Sequence, residues 1–437
     1  MGDYKCYSAG SIITDDNGKS LFRLEADTVY NDKFYIVRAT DLLNNRACLL
    51  KFTNDEEGYK RANLTREGSF RFFHPYIERT YGVFSGKTPD DQTVDGVSVE
   101  YVEGTDLEEY RENLEDDLVA GTISETQLDY TIFRQILQLL HAMKYYTDFA
   151  EDIYLHRDIK PKNIMITELG DVKLVDFDYA HIAGSTKTVS TSEIFWNMGF
   201  SSGYTSPEIF DKDRKWSNLT TELYSAGRTI FYWLNGQHYY TNDQISRTSS
   251  AEWGRYCSED SLKYGFSANS DRFRENFLSD RYSGLLRIMN KMCASPEEER
   301  YKSVDEVIED MELFLLGYCG NSWELFEEHF GTKCLKLLHD PAPEFNTRKH
   351  IMTAYRIDGG RWTGRPLYTY TVRDIMADGR RILMIYNLDN DVYCIPVQGG
   401  YTFRNDEPIH KGYQINDGDI ITFDKHTIEF RIEEKKQ

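Results

Sequence analysis

The stretch that most constrains the fold of this chain is residues 154–180, YLHRDIKPKNIMITELGDVKLVDFDYA. It contains two short apolar runs, NIMIT at 163–167 and VKLV at 172–175, separated by the turn-forming trio Leu169-Gly170-Asp171. Apolar runs of this length around Gly and Asp predict a β-hairpin. A polar loop precedes the hairpin and an acidic loop follows it, so charged side chains lie on both sides.

The polar residues of these two loops are of the types that phosphoryl transfer uses. A carboxylate near the proton of the acceptor hydroxyl (Asp158) is followed by a cation for the transferred phosphate (Lys160). Asn163 and Asp176 could supply the hard oxygen ligands that magnesium prefers. We interpret Asp158, Lys160 and Asn163 as catalytic residues, and Asn163 and Asp176 as metal ligands.

The segments HRDIKPKN at 156–163 and DFD at 176–178 resemble the catalytic loop and metal-binding segment of protein kinases, H-R-D-x-K-x-x-N and D-F-G. The first motif is intact, whereas Asp178 replaces the glycine of the second. The resemblance covers about residues 20–317 and implies an α+β, bilobal kinase fold, with a β-rich N-lobe at 20–103 and an α-rich C-lobe at 104–320. It also implies ATP and Mg²⁺ (or Mn²⁺) as cofactors, and proteins as substrates.

The same resemblance places a nucleotide pocket in the N-lobe. Lys51 falls where the third-strand lysine of kinases contacts the α- and β-phosphates. Its glutamate partner is expected at Glu67, with Glu57 as the alternative, although such a pair taken alone is more often a surface salt bridge. In the hinge, the backbone groups of Glu100 and Val102 would form hydrogen bonds with adenine, and the remaining positions would enclose it. The full set is Ile36, Leu49, Val99, Glu100, Val102 and Met165.

The C-lobe carries further kinase-like features. Residues 124–149 have apolar positions at helical spacing and predict a long core helix. Glu222 replaces the aspartate that holds the catalytic-loop backbone in the family. Arg300 is placed to pair with Glu208 of Ser206-Pro207-Glu208, the variant A-P-E motif.

The segment between Asp176 and Glu208 is expected to be regulated by phosphorylation. It contains a dense hydroxyl run, and Arg157 is the residue that pairs with an activation-loop phosphate in kinases with this motif. Ser201 aligns with the hydroxyl residue that bridges the catalytic Asp and Lys in serine/threonine kinases, and Lys160 fits the same class. The candidate phosphate acceptors are Ser185, Thr186, Thr188, Ser190, Thr191 and Ser192.

Three departures from the family cluster around the nucleotide. The loop expected to cover the phosphates, residues 29–34, contains no glycine, and glycine lets backbone N–H groups approach phosphates closely. Leu49 replaces a smaller alanine, and Asp178 adds a carboxylate near the metal site. These departures leave two interpretations open: an active serine/threonine kinase that also phosphorylates itself, and a pseudokinase scaffold. A small-molecule kinase is disfavoured by the SPE segment and its arginine partner.

Composition limits the partners and the compartment. The formal net charge of −21 argues against nucleic acid or an anionic membrane as the main partner. The seven cysteines are scattered without a CxxC pair, and no apolar run approaches a membrane span. These features predict a cytoplasmic protein with free thiols.

The two ends of the chain differ from the kinase-like part. Residues 1–19 are polar and are expected to be flexible. Residues 321–345 are expected to form a connecting helix and a linker. Strand-like runs separated by Gly, Asp and Asn then predict a small all-β sandwich at 346–437. Its end, QINDGDIITFDKHTIEFRI, resembles the closing strands of forkhead-associated domains, without the G-R turn and S-x-x-H that read phosphothreonine there. We therefore expect a docking or structural role.

Overall fold

The structure is a computed structural model that describes residues 6–30, 34–54, 72, 74–148, 153–182, 203–210, 218–240 and 282–330. Beyond these, it describes the strands between residues 350 and 434 and the turn at 416–419. Within this part of the chain, no helix is both long and apolar enough to cross a membrane.

The N-terminal part is one antiparallel sheet in the order β2-β1-β6-β7-β5-β4-β3. Strand β2 pairs with β4 as well as with β1, so six of the seven strands close into a ring. One face of each strand turns inward, where Leu50 and Phe52 are completely buried. The strands are β1 (Ile12–Thr14), β2 (Ser20–Leu24), β3 (Val29–Tyr30), β4 (Tyr35–Asp41), β5 (Arg46–Thr53), β6 (Thr80–Lys87) and β7 (Thr93–Glu100).

The first strand differs from the sequence-based expectation of a flexible segment at 1–19. Strand β1 pairs with both β2 and β6 and thereby closes the ring. Ile13 packs into the ring with Phe22 and Leu24, while Tyr7 contacts Tyr35 and Phe52. The apolar residues of this otherwise polar segment thus gain a buried surface that a flexible terminus would not have.

The second part of the described chain is mainly helical. The predicted core helix runs over Glu125–Thr147, and Ser124 caps its first turn in a reciprocal capping box with Gln127. Its apolar positions are buried as the spacing predicted. The helices are α1 (Leu107–Ala120), α2 (Glu125–Thr147), α3 (Leu219–Asn235), α4 (Ser283–Met292), α5 (Val304–Tyr318) and α6 (Trp323–His329).

The hairpin predicted from residues 163–175 is confirmed. Its strands pair with each other, and Gly170 takes the left-handed backbone conformation that the turn requires (φ +80°). The hairpin also pairs with a strand that follows the N-terminal sheet, so it lies against the junction between the sheet and the helices. The short strands here are β8 (Gly104–Asp106), β9 (Tyr154–Leu155), β10 (Ile164–Thr167), β11 (Val172–Leu174) and β12 (His181–Ile182).

The strands beyond residue 350 pair antiparallel in two sheets. One has the order β14-β13-β23-β22-β19-β20, with β15 also on β13, and the other has the order β16-β17-β18-β21. The bounds are β13 (His350–Asp358), β14 (Arg361–Trp362), β15 (Tyr368–Thr369), β16 (Ile375–Ala377), β17 (Arg380–Leu388), β18 (Asp391–Pro396), β19 (Thr402–Arg404), β20 (Glu407–Pro408), β21 (Tyr413–Gln414), β22 (Ile420–Phe423) and β23 (His426–Glu434).

Ring closure by β1 should be measurable as stability. Ile13 is 1% exposed inside the ring, so Ile13→Ala should lower the free energy of unfolding by about 2–5 kcal/mol. Val29→Ala, at a position that is 66% exposed, should change it little. Urea denaturation followed by circular dichroism compares the two variants. Equal stability of both would show that β1 contributes no packing energy.

Candidate active site

The three predicted catalytic side chains lie together on the loop before the hairpin. Lys160 Nζ is 2.8 Å from Asp158 Oδ2, and Asn163 Nδ2 donates to the same oxygen at 2.8 Å. Asn163 also donates to the backbone carbonyl of Asp158 at 2.8 Å. A cation and an amide therefore fix the orientation of the Asp158 carboxylate.

The buried carboxylate of Glu222 holds the backbone of this loop. Glu222, on α3, accepts the backbone N–H of Arg157 at 2.5 Å and the Tyr146 hydroxyl at 3.1 Å. Arg157 has a left-handed backbone (φ +67°), which is unfavourable for a residue with a side chain. The glutamate thus performs the backbone-holding role expected of it, and burial raises its pKa to about 7.

His156 is a structural member of the loop. Its Nδ1 accepts the N–H of Asp158 at 3.3 Å, so the other ring nitrogen, Nε2, donates to the carbonyl of Val175 at 2.9 Å. Burial lowers the pKa of His156 to about 4, which keeps the ring neutral. The ring links the catalytic loop to the end of β11.

The loop after the hairpin directs Asp176 toward the N-terminal sheet. Asp176 has φ +68° and is followed by a short 3₁₀ turn at Phe177–Tyr179. Phe177 is buried against His156 and Phe72, with ring centroids 4.5 and 5.5 Å away. Because Phe177 is anchored in the core, the carboxylates on either side of it face Lys51.

Lys51 joins the sheet to this loop. Its ammonium is 2.7 Å from Asp176 Oδ1 and 3.3 Å from Asp178 Oδ2, and its side chain is only 8% exposed. Desolvation raises the pKa of Asp176, Lys51 opposes this shift, and the Asp178 carboxylate adds to it. One cation therefore faces two carboxylates of the DFD segment.

Glu78 is a third carboxyl group at the site, and sequence reasoning missed it. It lies between Ile77 and β6, is buried, and accepts the N–H of Asp176 at 3.3 Å. Burial raises its pKa to about 7, although Lys51 pulls it down. The sequence feature that could have indicated Glu78 is the position of this acidic residue directly after the HPYI segment, where burial is expected.

A second missed feature is a buried ion pair behind the pocket. Lys173 Nζ on β11 is 3.0 Å from Glu100 Oε2, and the side chains are 3% and 5% exposed. The N–H of Glu100 donates to the carbonyl of Arg79 at 2.7 Å. Of the backbone groups of Glu100 proposed for adenine, at most the carbonyl remains for a ligand.

Four of the predicted pocket residues share one face of the sheet. Strand register places Ile36 opposite Lys51 and Leu49 opposite Val99, and Leu49 is two residues from Lys51. Residues in these relations project from the same side of a pleated sheet. Val102 follows the sheet in the connection to β8, and Met165 lies on β10 of the hairpin. The apolar positions predicted to enclose adenine and the lysine predicted to contact the phosphates are thus contiguous on this face.

The expected ion pair at the end of the activation segment is formed. The completely buried Arg300 bonds both carboxylate oxygens of Glu208, one of them at 3.2 Å. Arg300 also donates to the carbonyls of Ala294 at 2.7 Å and Thr220 at 3.1 Å. It therefore connects Pro207–Phe210 to the start of α3.

Several predicted residues lie outside the described part of the chain, so their placement stays a prediction. They include both candidate partners of Lys51, the centre of the glycine-free loop at 31–33, and the whole hydroxyl run. By name they are Glu57, Glu67, Ser185, Thr186, Thr188, Ser190, Thr191, Ser192 and Ser201.

The residues present fit a divalent cation that is shared with a nucleotide. Asn163 uses its amide nitrogen toward Asp158, which leaves an amide oxygen as a donor, and Asp176 adds a carboxylate. Magnesium is commonly bound by one or two such groups together with substrate phosphates and water. Among the described residues, no group of three or more His, Cys, Asp or Glu side chains is arranged to hold a metal ion.

Comparison with known families agrees with this geometry. The family model "Protein kinase domain" matches residues 36–311, which is more than half of the chain. The chain therefore belongs to the protein kinase family, and the two-part α and β architecture is that of a bilobal kinase.

Individual relatives are more distant. Serine/threonine-protein kinase PrkC of Bacillus subtilis is 25% identical over 205 residues, covering 46% of this chain and 28% of the relative. MAP kinase kinase MKK1/SSP32 of Saccharomyces cerevisiae is 31% identical over 193 residues, covering 42% and 32%. A probable serine/threonine-protein kinase PknB of Bifidobacterium longum is 28% identical over 213 residues, covering 48% and 27%. The matched region is less than a third of the length of each relative.

Burial of Glu222 predicts a pH-dependent stability. Its pKa is about 7 in the folded protein against 4.5 for an ordinary glutamate, so the folded state retains a proton that the unfolded state loses first. The free energy of unfolding should therefore fall as pH rises through this interval. Between about pH 5 and pH 8 the group accounts for roughly 2–3 kcal/mol. Glu222→Gln should lose this part of the slope in urea titrations at several pH values. Identical slopes for both proteins would contradict the assignment.

Proposed function

We propose that this protein is a serine/threonine protein kinase that transfers the γ-phosphoryl group of ATP to protein hydroxyls. The observation that supports this proposal most strongly is the cluster in which Lys160 and Asn163 orient the Asp158 carboxylate. The family supplies the general class, and the relatives named above are serine/threonine kinases or a MAP kinase kinase by name. The acidic composition and the absence of an evident membrane segment in the sequence support a cytoplasmic location.

Each residue has a defined task in this proposal. The acceptor oxygen attacks the γ-phosphorus, the bond from that phosphorus to the bridging oxygen breaks, and ADP leaves. Asp158 receives the proton of the acceptor hydroxyl. Lys160 stabilises charge on the transferred group, and Lys51 positions the α- and β-phosphates. A magnesium ion held by Asn163 and Asp176 would neutralise phosphate charge in the bound complex.

A pseudokinase scaffold is the second candidate, and one observation favours it. Lys51 is engaged by two aspartates, so nucleotide phosphates must compete with them for the ammonium. The glycine-free loop would also reduce backbone contacts to the phosphates. Positioning and charge stabilisation dominate phosphoryl transfer, and the residues that supply them are present. We therefore place the active kinase first.

For the C-terminal strands we propose a small β-sandwich that serves as a docking or structural domain. The Asp417-Gly418-Asp419 turn supports the resemblance to forkhead-associated closing strands. Gly418 has φ +79°, and Asp419 Oδ2 accepts the N–H of Asn416 at 2.8 Å. The sequence offers no recognisable phosphothreonine clamp, so recognition there should not require a phosphate.

Replacing the base tests the proposal directly. Asp158→Asn should reduce phosphate transfer by about 10²–10⁴-fold, because the acceptor proton loses its carboxylate. Nucleotide-induced thermal stabilisation should persist, since Asp158 lies on the acceptor side of the site. The measurement is incorporation of labelled phosphate from ATP with Mg²⁺ or Mn²⁺, beside thermal shift at the same concentrations.

Asp171→Asn is a matched control from the same hairpin. Asp171 Oδ1 accepts a hydrogen bond from Gln138 Nε2 at 2.6 Å and takes no part in the proposed chemistry. Its variant should keep wild-type transfer per folded molecule. If the wild type binds nucleotide but transfers no phosphate to any tested protein, the pseudokinase hypothesis replaces the kinase hypothesis. Unchanged transfer by Asp158→Asn would refute the role of the base.

Autophosphorylation of the activation segment is a further expectation. A phosphate near residues 185–192 would add between one and two negative charges and could form charge-assisted hydrogen bonds with Arg157. Peptide mass spectrometry should find phosphate on this run in the wild type and lose it in Asp158→Asn. An active preparation that carries no phosphate on the run would remove this part of the proposal.

A further inference from the structure

The residue that replaces the family's glycine lies at ion-pair distance from the phosphate-binding lysine. Asp178 Oδ2 is 3.3 Å from Lys51 Nζ, and the Asp178 side chain is 20% exposed. The family motif has no side chain at this position and therefore cannot make this contact. Nothing in the catalytic roles assigned above uses Asp178.

The backbone explains how two carboxylates reach the same ammonium. Asp176 has a left-handed backbone, and the 3₁₀ turn at Phe177–Tyr179 starts directly after it. Phe177 is directed into the core between the rings of His156 and Phe72. The side chains before and after Phe177 consequently both face Lys51.

The proposed reaction gives these two carboxylates different tasks. Asp176 would turn toward a divalent cation, and its contact with Lys51 would then weaken. Until the phosphates of a nucleotide reach it, a lysine that is only 8% exposed is stabilised by nearby opposite charge, and the Asp178 carboxylate supplies such charge at 3.3 Å. Glu78 lies near, but its carboxyl accepts the backbone N–H of Asp176.

Resting on the proposed function, we infer that Asp178 is a positioning residue for Lys51. It keeps the ammonium in place when Asp176 engages a cation. In the nucleotide-free protein both aspartates share Lys51, and either one is sufficient to hold it. The Asp178 carboxylate adds negative charge to the site, which opposes the binding of phosphate. It offsets this effect by holding the Lys51 ammonium in place.

The test measures Lys51 itself in protein without nucleotide. Acylation of Lys51 by acetic anhydride is followed by peptide mass spectrometry in the wild type, Asp176→Asn, Asp178→Asn and the double variant. Two carboxylates in contact with the ammonium shield it from the reagent, and loss of both contacts exposes it. Each single variant should label at most about threefold faster than the wild type, whereas the double variant should label at least tenfold faster. Asp171→Asn serves as the control and should label like the wild type.

Kinetics of the Asp178 variants give a second measurement. Asp178→Asn should lower kcat about tenfold with little change in the KM of the protein substrate, and Asp178→Glu should restore part of the loss. Thermal denaturation of each variant identifies any that fail to fold. If Asp178→Asn fails to fold, the kcat of Asp178→Glu is compared with that of Asp178→Gln instead.

The outcomes separate the two proposals. A double variant that labels no faster than Asp176→Asn overturns the inference, because another group then holds Lys51. A changed magnesium requirement in Asp178→Asn, together with a double variant that labels no faster than Asp176→Asn, also overturns it and makes Asp178 a cation ligand. If the wild type transfers no phosphate but the labelling pattern holds, the proposed function fails and the role of Asp178 stands.

Discussion

The ion pair between Lys51 and Asp176 is the contact on which the candidate site depends, since it connects the N-terminal sheet to the segment that follows the hairpin. The 2.7 Å contact is possible only because Phe177 is fixed in the core and β5 presents Lys51 on the face that carries Leu49. Loss of either anchor would separate the face of the sheet predicted to bind nucleotide from the loop that carries Asp158. The arrangement of Asp158, Lys160 and Asn163 would then remain, but without a phosphate-binding partner.

Around this contact, the protein tolerates several buried charged groups. Lys173 and Glu100 neutralise each other behind the sheet, whereas Glu78 and Glu222 have pKa values raised to about 7 by burial. Buried charges of this kind contribute little net stability but make the loss of one partner costly. Their value is therefore in fixing geometry, as Glu222 does for the strained backbone of Arg157.

The proximity of residues within one continuous stretch was predictable because they share a short loop. Asp158, Lys160 and Asn163 lie within six positions, and the hairpin and the core helix followed from apolar periodicity. Glu78 and Lys173 could not be found in this way, because their partners are distant in the chain. The pairing of β1 with β6 was equally hidden, since strand order depends on long-range contacts and three residues carry little pattern. Asp178 was recognised as a departure from the family, while its contact with Lys51 required the fold.

The closed ring of strands has a consequence for how the N-lobe can meet other proteins. An open sheet offers unpaired backbone groups at its edges, where a peptide or a second copy can add a strand. Here β2 pairs with the end of β4, but β1 meets β6 only at Thr14 and Lys87, so the described strands pair most of β6 on one side only, with β7. Within the described ring, β6 is therefore the strand to which a further strand could be added, whereas recognition elsewhere on the ring would use side chains on its outer surface.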